Sequence, residues 1–96
     1  MNVLYEFIYG FVENVEKQLK MIRQAIADGD AALVKREAHS IKGGAANLHA
    51  FKLSEIALMK ENLGKEENLQ GLSNTFPYIE EAFGQFKNFV ETVKYA

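Results

Sequence analysis

His39, Lys42 and Gly43 stand within one five-residue span of the run Ala38-His39-Ser40-Ile41-Lys42-Gly43-Gly44-Ala45-Ala46-Asn47-Leu48, and their types and spacing point to covalent chemistry. A neutral imidazole, with a reference pKa of about 6.5, is a nucleophile at cellular pH and needs no strong base to make it one. A lysine three residues on, one helical turn away, reaches the same space and suits an anion such as a phosphoryl group. An exposed histidine beside a cation and a residue without a side chain is a good way to attack an activated phosphate and hold what it carried.

The surrounding residues place that histidine on a helix. Val34, Ala38, Ile41, Ala45 and Leu48 recur at steps of 4, 3, 4 and 3, the apolar stripe of an amphipathic helix. At about 100° of rotation per residue, His39 lies about 140° from the centre of the stripe and Gly43 about 175° from it, so both face solvent. Glycine there is costly, because Gly43 and Gly44 each weaken a helix interior by about 0.8 to 1 kcal/mol relative to alanine. Two such residues beside an exposed histidine predict that a visitor comes close; for Gly44, packing against another helix is an equally good reason. Lys35 and Arg36 precede His39 by four and three residues, and with Lys42 they form a cationic collar. From Ala31 to Ala50 the only acid is Glu37, so three cations less one give +2 locally in a chain of net charge −2. Ser40 falls toward the flank and reads as a hydrogen-bonding spectator.

His39-Ser40-Ile41-Lys42-Gly43, followed by small residues, Asn47, Leu48 and a short turn into another amphipathic helix, resembles the H-x-x-K-G signature of histidine-containing phosphotransfer (HPt) domains. The resemblance extends through the segment from Leu53 to Gly64 and, with the bundle topology, covers nearly the whole chain. It implies that His39 accepts a phosphoryl group from a phosphoaspartate of a receiver domain and passes it to another receiver in a two-component phosphorelay. Lys42 would then stabilise phosphoryl charge, Gly43 would leave clearance for the partner, and Lys35, Arg36, Gly44, Ala46 and Asn47 would line the contact. The implied partners are response-regulator receiver domains, free or within a hybrid sensor histidine kinase, with Mg²⁺ on the receiver and no cofactor on this chain. Such a chain is a covalent intermediate rather than an enzyme. Glu61 and Lys65 fall where the family's third helix approaches the histidine. His49 departs from the pattern, since the family often has glycine in that turn.

Composition predicts a single small cytoplasmic domain. The 96 residues suffice for one core, and a 48% hydrophobic fraction with one proline argues against disorder. There is no cysteine for a disulfide or thiolate metal site, and a pI near 5.7 leaves no general basic footprint for nucleic acid. The apolar start, with Val3, Leu4, Tyr5, Phe7, Ile8, Tyr9, Phe11 and Val12, is interrupted by Glu6 and Glu13 and lacks the cationic lead of a secretory signal. It is far shorter than the roughly 20 apolar residues that span a bilayer. It reads instead as a core-facing helix whose stripe runs through Leu4, Phe7 or Ile8, Phe11, Val15, Leu19, Ile22 and Ile26, with Tyr5 and Tyr9 widening it.

Punctuation then divides the chain into an all-α, antiparallel four-helix bundle with helices at about 2–27, 31–48, 52–63 and 75–94. Gly29 closes the first and Asp30 caps the second; Gly64 is expected to stop the third, and Pro77 to sit in the first turn of the fourth, whose stripe is Phe76, Ile79, Phe83, Phe86, Val90 and Val93. The stretch from Lys65 to Asn74 reads as a loop or as early turns of that helix. A metal or haem bundle built on His39, His49 and Met59 is disfavoured, because ten residues separate the histidines and no Glu-x-x-His occurs. A bundle that keeps the HPt shape without phosphotransfer is the other rival. With no glycine-rich phosphate loop after a strand and no acidic metal cluster, direct use of ATP is excluded.

Overall fold

The computed structural model describes residues 3–94 and, within them, all side chains but those of Leu4, Val93 and Lys94. They form α1 (Val3–Asp28), α2 (Ala31–Asn47), α3 (Phe51–Lys65) and α4 (Leu69–Lys94), with no strand among the described residues. A start of α1 at Asn2 lies outside the described residues, as do the side chains of Leu4 and Val93 in the expected stripes. α1 packs on α2 and α4, and α3 packs on α2 and α4, so the helices follow one another round a four-membered ring. The body measures 42 × 19 × 17 Å. Its length is that of the two 26-residue helices, α1 and α4, which run past the shorter pair between them.

Three tight turns make the path antiparallel, and all three use the same device. At each helix end one residue adopts the left-handed conformation, and two backbone N–H groups fold back onto the last turn, closing carbonyls that the helix leaves open. After α1 the left-handed residue is Gly29, with φ 75°, and the Asp30 N–H donates to the Ala25 carbonyl at 2.8 Å. After α2 it is His49, with φ 60°, and the Ala50 N–H donates to Ala45 at 2.8 Å. After α3 it is Glu67, with φ 55°, and the Asn68 N–H donates to Leu63 at 2.9 Å. Asp30 also caps α2, accepting from the Leu33 N–H at 3.1 Å.

The core is a seam of 3-4 spacings. On α1 it runs through Tyr5, Ile8, Val12, Val15, Leu19, Ile22 and Ile26, all buried or partly buried. The expected stripe holds from Val15 onward; ahead of it the seam takes Ile8, of the two expected alternatives, and Val12, with Phe11 partly buried beside it. Phe7 is 68% exposed, and Phe11 sits at the edge of the seam against Phe86. Both faces of the first three turns are apolar, and only the strict 3-4 alternation distinguishes the inward one.

α4 begins at Leu69 rather than at residue 75, because its seam already includes Leu69 and Leu72 ahead of Phe76, Ile79, Phe83, Phe86 and Val90. Asn68 supplies the start, accepting from the Gly71 N–H at 2.9 Å. Pro77 consequently lies inside the helix, on its exposed side. Gly64 does not stop α3. It is buried within the helix, where an added Cβ would stand 3.0 Å from the Lys35 nitrogen and 3.1 Å from the Ala31 carbonyl. Glycine serves here as a contact surface, letting α3 lie directly on the α2 backbone.

One buried cation sits between α3 and α4. Lys60 is fully buried and donates to the Thr75 hydroxyl, which donates in turn to the Gly71 carbonyl at 2.6 Å. Burial pushes the Lys60 ammonium down from 10.5 to about 8. Between those values the unfolded chain holds a proton that the folded chain has lost, so stability rises with pH across that window. Replacing Lys60 with methionine is predicted to stabilise the fold at neutral pH by about 1 to 3 kcal/mol and to flatten the rise above pH 8. Urea denaturation of both proteins at pH 7 and pH 10 measures each effect.

Candidate functional site

α2 is the helix that presents His39. Its buried face is Ala31, Val34, Ala38, Ile41 and Ala45, the stripe expected from the sequence except that Leu48 is the half-buried cap residue. The opposite face carries Ala32, His39, Gly43 and Ala46, all exposed. Apart from the imidazole, nothing on that line is larger than a methyl group. The His39 side chain is 66% exposed, yet it is fixed at one atom, because Nδ1 lies 2.9 Å from Oε2 of Glu61 on α3.

Glu61 is the centre of the site. Its side chain is only 8% exposed, and its other oxygen, Oε1, accepts from the Lys42 ammonium at 2.7 Å. One carboxylate therefore holds the histidine and the lysine together. Its pKa lies below the ordinary 4.5, chiefly through the Lys42 hydrogen bond and further through the His39 bond, which together outweigh the opposing effect of burial. An ionised carboxylate only accepts hydrogen bonds, so His39 Nδ1 is the donor. In the neutral ring the lone pair then belongs to Nε2.

The elements behind the site hold α2 from both sides. On the α3 side, Ser54 donates to the Lys42 carbonyl at 3.1 Å. On the α1 side, Gln18 Nε2 reaches the Ser40 hydroxyl at 3.0 Å and Glu37 Oε1 at 3.3 Å, so Ser40 is a flank residue tied to α1. Arg36 is 73% exposed and contacts Glu37 through Nε at 3.3 Å. Lys35 is exposed, with its Cβ against Gly64. Asn47 is exposed on the last turn of α2, and Lys65 is exposed at the end of α3. His49 stands apart in the α2–α3 turn, its ring 5.3 Å from that of Phe51. Among the described residues no group of three or more His, Cys, Asp or Glu side chains is placed to hold a metal ion.

The two glycines separate cleanly. A Cβ on Gly43 would meet nothing within 4 Å, whereas one on Gly44 would fall 2.5 Å from Cε1 of Phe11. Gly44 is thus a seat for the Phe11 ring, and packing is its role in the free chain. A Cβ on Gly43 would displace nothing, so no packing contact accounts for that glycine. What the sequence did not supply was the double engagement of Glu61. The available signal was Lys60-Glu61, two charges on the stripe where Leu53, Ala57 and Gly64 are buried.

The family model described as Hpt domain matches residues 6–94 of the chain. No curated protein matches it significantly, and neither does any solved structure. Among the described residues no helix is long and apolar enough to cross a membrane.

The contrast between the glycines can be measured directly. Gly43→Ala is predicted to stabilise the chain by about 0.8 to 1 kcal/mol, the ordinary helix-propensity gain. Gly44→Ala is predicted to destabilise it by about 1 to 2 kcal/mol, since the gain is outweighed by displacing the Phe11 ring. Equilibrium urea unfolding of the two variants should give opposite signs.

Proposed function

This chain belongs to the Hpt domain family, whose members carry phosphoryl groups on histidine in two-component signalling and are carriers rather than enzymes in the ordinary sense, and on that premise we propose that it accepts a phosphoryl group on Nε2 of His39. The donor is an aspartyl phosphate of a receiver domain, free or part of a hybrid sensor kinase, and the acceptor is an aspartate of another receiver. The reading rests above all on one observation, the bond of 2.9 Å between His39 Nδ1 and the Glu61 carboxylate on a ring that is otherwise exposed.

The reaction follows from that bond. The Nε2 lone pair attacks phosphorus, the N–P bond forms, the P–O bond to the aspartate breaks, and the aspartate leaves as a carboxylate. Because Nδ1 keeps its proton, the phosphorylated ring is formally cationic, and Glu61 is the counter-charge already in contact with it. Lys42 shares that carboxylate and lies one helical turn from the ring, so it takes up charge from the phosphoryl oxygens. The clearance at Gly43, with Ala46 and Asn47 beyond it, gives the receiver's loops access along the helix. Mg²⁺ in this reading belongs to the receiver, where it neutralises the transferring group, and this chain contributes no cofactor. Receiver domains and a cysteine-free sequence both suit the cytoplasm.

Two outcomes follow. Incubation with a phosphorylated receiver should place an acid-labile, base-stable label on the wild-type chain and none on His39→Ala; equal labelling of that variant would refute the assignment. Glu61→Gln, whose amide can bond either tautomer and supplies no counter-charge, should still fold and should slow transfer by roughly 10- to 100-fold, read by rapid-quench assay under single-turnover conditions.

A further inference from the structure

Immediately ahead of His39 on α2 lies an open depression of about 440 Å³ lined by Ala32, Lys35, Arg36, His39 and Glu61. Ala32 is seven residues before His39, about 20° away around the helix and about 10 Å along it, so it forms a floor on the histidine's own line. Lys35 rises on the α3 side of that line and Arg36 on the α1 side, about 40° and 60° away. On the far side of His39 the same line continues as Gly43 and Ala46, with Asn47 beside them, and the flanking cation there, Lys42, is tied to Glu61. The cations of this face that Glu61 does not hold, Lys35 and Arg36, therefore lie at one end of the track on which a partner would lie.

The direction of the side chains separates these cations from Lys42. Every Cα–Cβ bond of a helix tilts toward its N-terminus. Lys42, C-terminal to the histidine, leans back toward the ring and is held there by Glu61. Lys35 and Arg36, N-terminal to it, lean away over Ala32. Among the described residues Lys35 has no carboxylate within salt-bridge distance, and Arg36 contacts one through its Nε, on Glu37, leaving a largely exposed guanidinium.

We propose that Lys35 and Arg36 form a clip over Ala32 that receives a carboxylate-bearing segment of the receiver's surface and thereby fixes which way round the receiver lies on α2. The inference rests on the phosphotransfer reading and adds the acidic character of the partner's contact surface. The clip acts on encounter and orientation, while Lys42 acts on the transferred group. Charges of this kind raise association rates and are screened by salt, with a Debye length of about 10 Å at 0.1 M.

The test compares wild type with Lys35→Glu/Arg36→Glu and with Lys35→Ala/Arg36→Ala, using a phosphorylated receiver that labels the wild-type chain. Both positions are exposed, and circular dichroism checks that the variants fold. At about 0.05 M salt the charge-reversed pair should lose roughly 10-fold or more in kcat/KM, and the alanine pair less. Raising salt to about 0.3 M should bring the three proteins together as screening takes hold. Transfer at saturating receiver and the lifetime of isolated phosphohistidine should not change. Unaltered kcat/KM in the charge-reversed pair would overturn the clip, as would a shortened phosphohistidine lifetime with unaltered KM, which would assign both cations to the phosphoryl group. If His39 fails to take label in the wild-type chain from any receiver, the phosphotransfer reading itself falls, a result distinguishable from either variant outcome.

Discussion

The bidentate use of the Glu61 carboxylate is the constraint to which the rest of the molecule is fitted. A carboxylate that is nearly inaccessible to water is unfavourable unless each oxygen finds a strong donor. Here Lys42 provides one at 2.7 Å and His39 the other at 2.9 Å, and the lowered pKa of Glu61 records that the donors win. Distances of that kind require α3 to lie very close to α2. Ala31, Ala38 and Ala45 on one helix and Ala57 and Gly64 on the other are buried at the facing surfaces, and at Gly64 the approach is so tight that even a methyl group would crowd the Lys35 nitrogen. Small residues are a poor source of hydrophobic stabilisation per position. Their value here is geometric, since they let one helix hold a side chain of the other.

That arrangement shifts the task of cohesion to α1 and α4. Their large apolar residues, Leu19, Ile22, Leu72, Ile79 and Phe83 among them, form the greater part of the core and support a hairpin that carries alanines, three glycines and the exposed imidazole of His39. Phe11 on Gly44 is one point of contact between the two halves of this division. The ring fills what Gly44 leaves empty, so the second glycine weakens the helix locally and strengthens its attachment to α1. Of the two glycines beside His39, Gly43 is the one left uncompensated.

Much of this was legible in the sequence. The helical period of α2 is set by five apolar residues, and it fixed the outward direction of His39 and Gly43 without knowledge of any neighbour. What was lost was information that lives between helices. The family resemblance puts Glu61 where the third helix approaches the histidine, but its burial and its simultaneous bonds to His39 and Lys42 depend on the register of α2 against α3. Gly64 carries the same residue type whether it ends a helix or seats one, and the seating partner, Lys35, is far away in sequence. The start of α4 was obscured for a different reason: the polar run from Lys65 to Asn74 outweighs Leu69 and Leu72, although both continue the 3-4 spacing of the later seam. His49 and Glu67 likewise give no composition signal for a left-handed turn, because the structure accepts there a conformation costing an ordinary residue about 1 to 2 kcal/mol.

A phosphoryl carrier has to satisfy two opposing demands, and the proposed chemistry meets both through one proton. If Nδ1 were free to lose its proton, the phosphorylated ring would become a neutral phosphoramidate, whose imidazole is a poorer leaving group for onward transfer. If Nδ1–H had no acceptor, the cationic phosphorylated ring would have no compensating charge and would form less readily. A buried, ionised carboxylate at 2.9 Å keeps the proton in place and offsets the charge that results. Burial matters to that balance, because an exposed carboxylate would be screened by water and would hold the ring only loosely. The same burial is what demands the second donor, so Lys42 is needed to keep Glu61 ionised before it is needed by the phosphoryl group. The spacing of His39 and Lys42 on one turn of α2 thus answers first to the carboxylate beneath them and only then to the partner above.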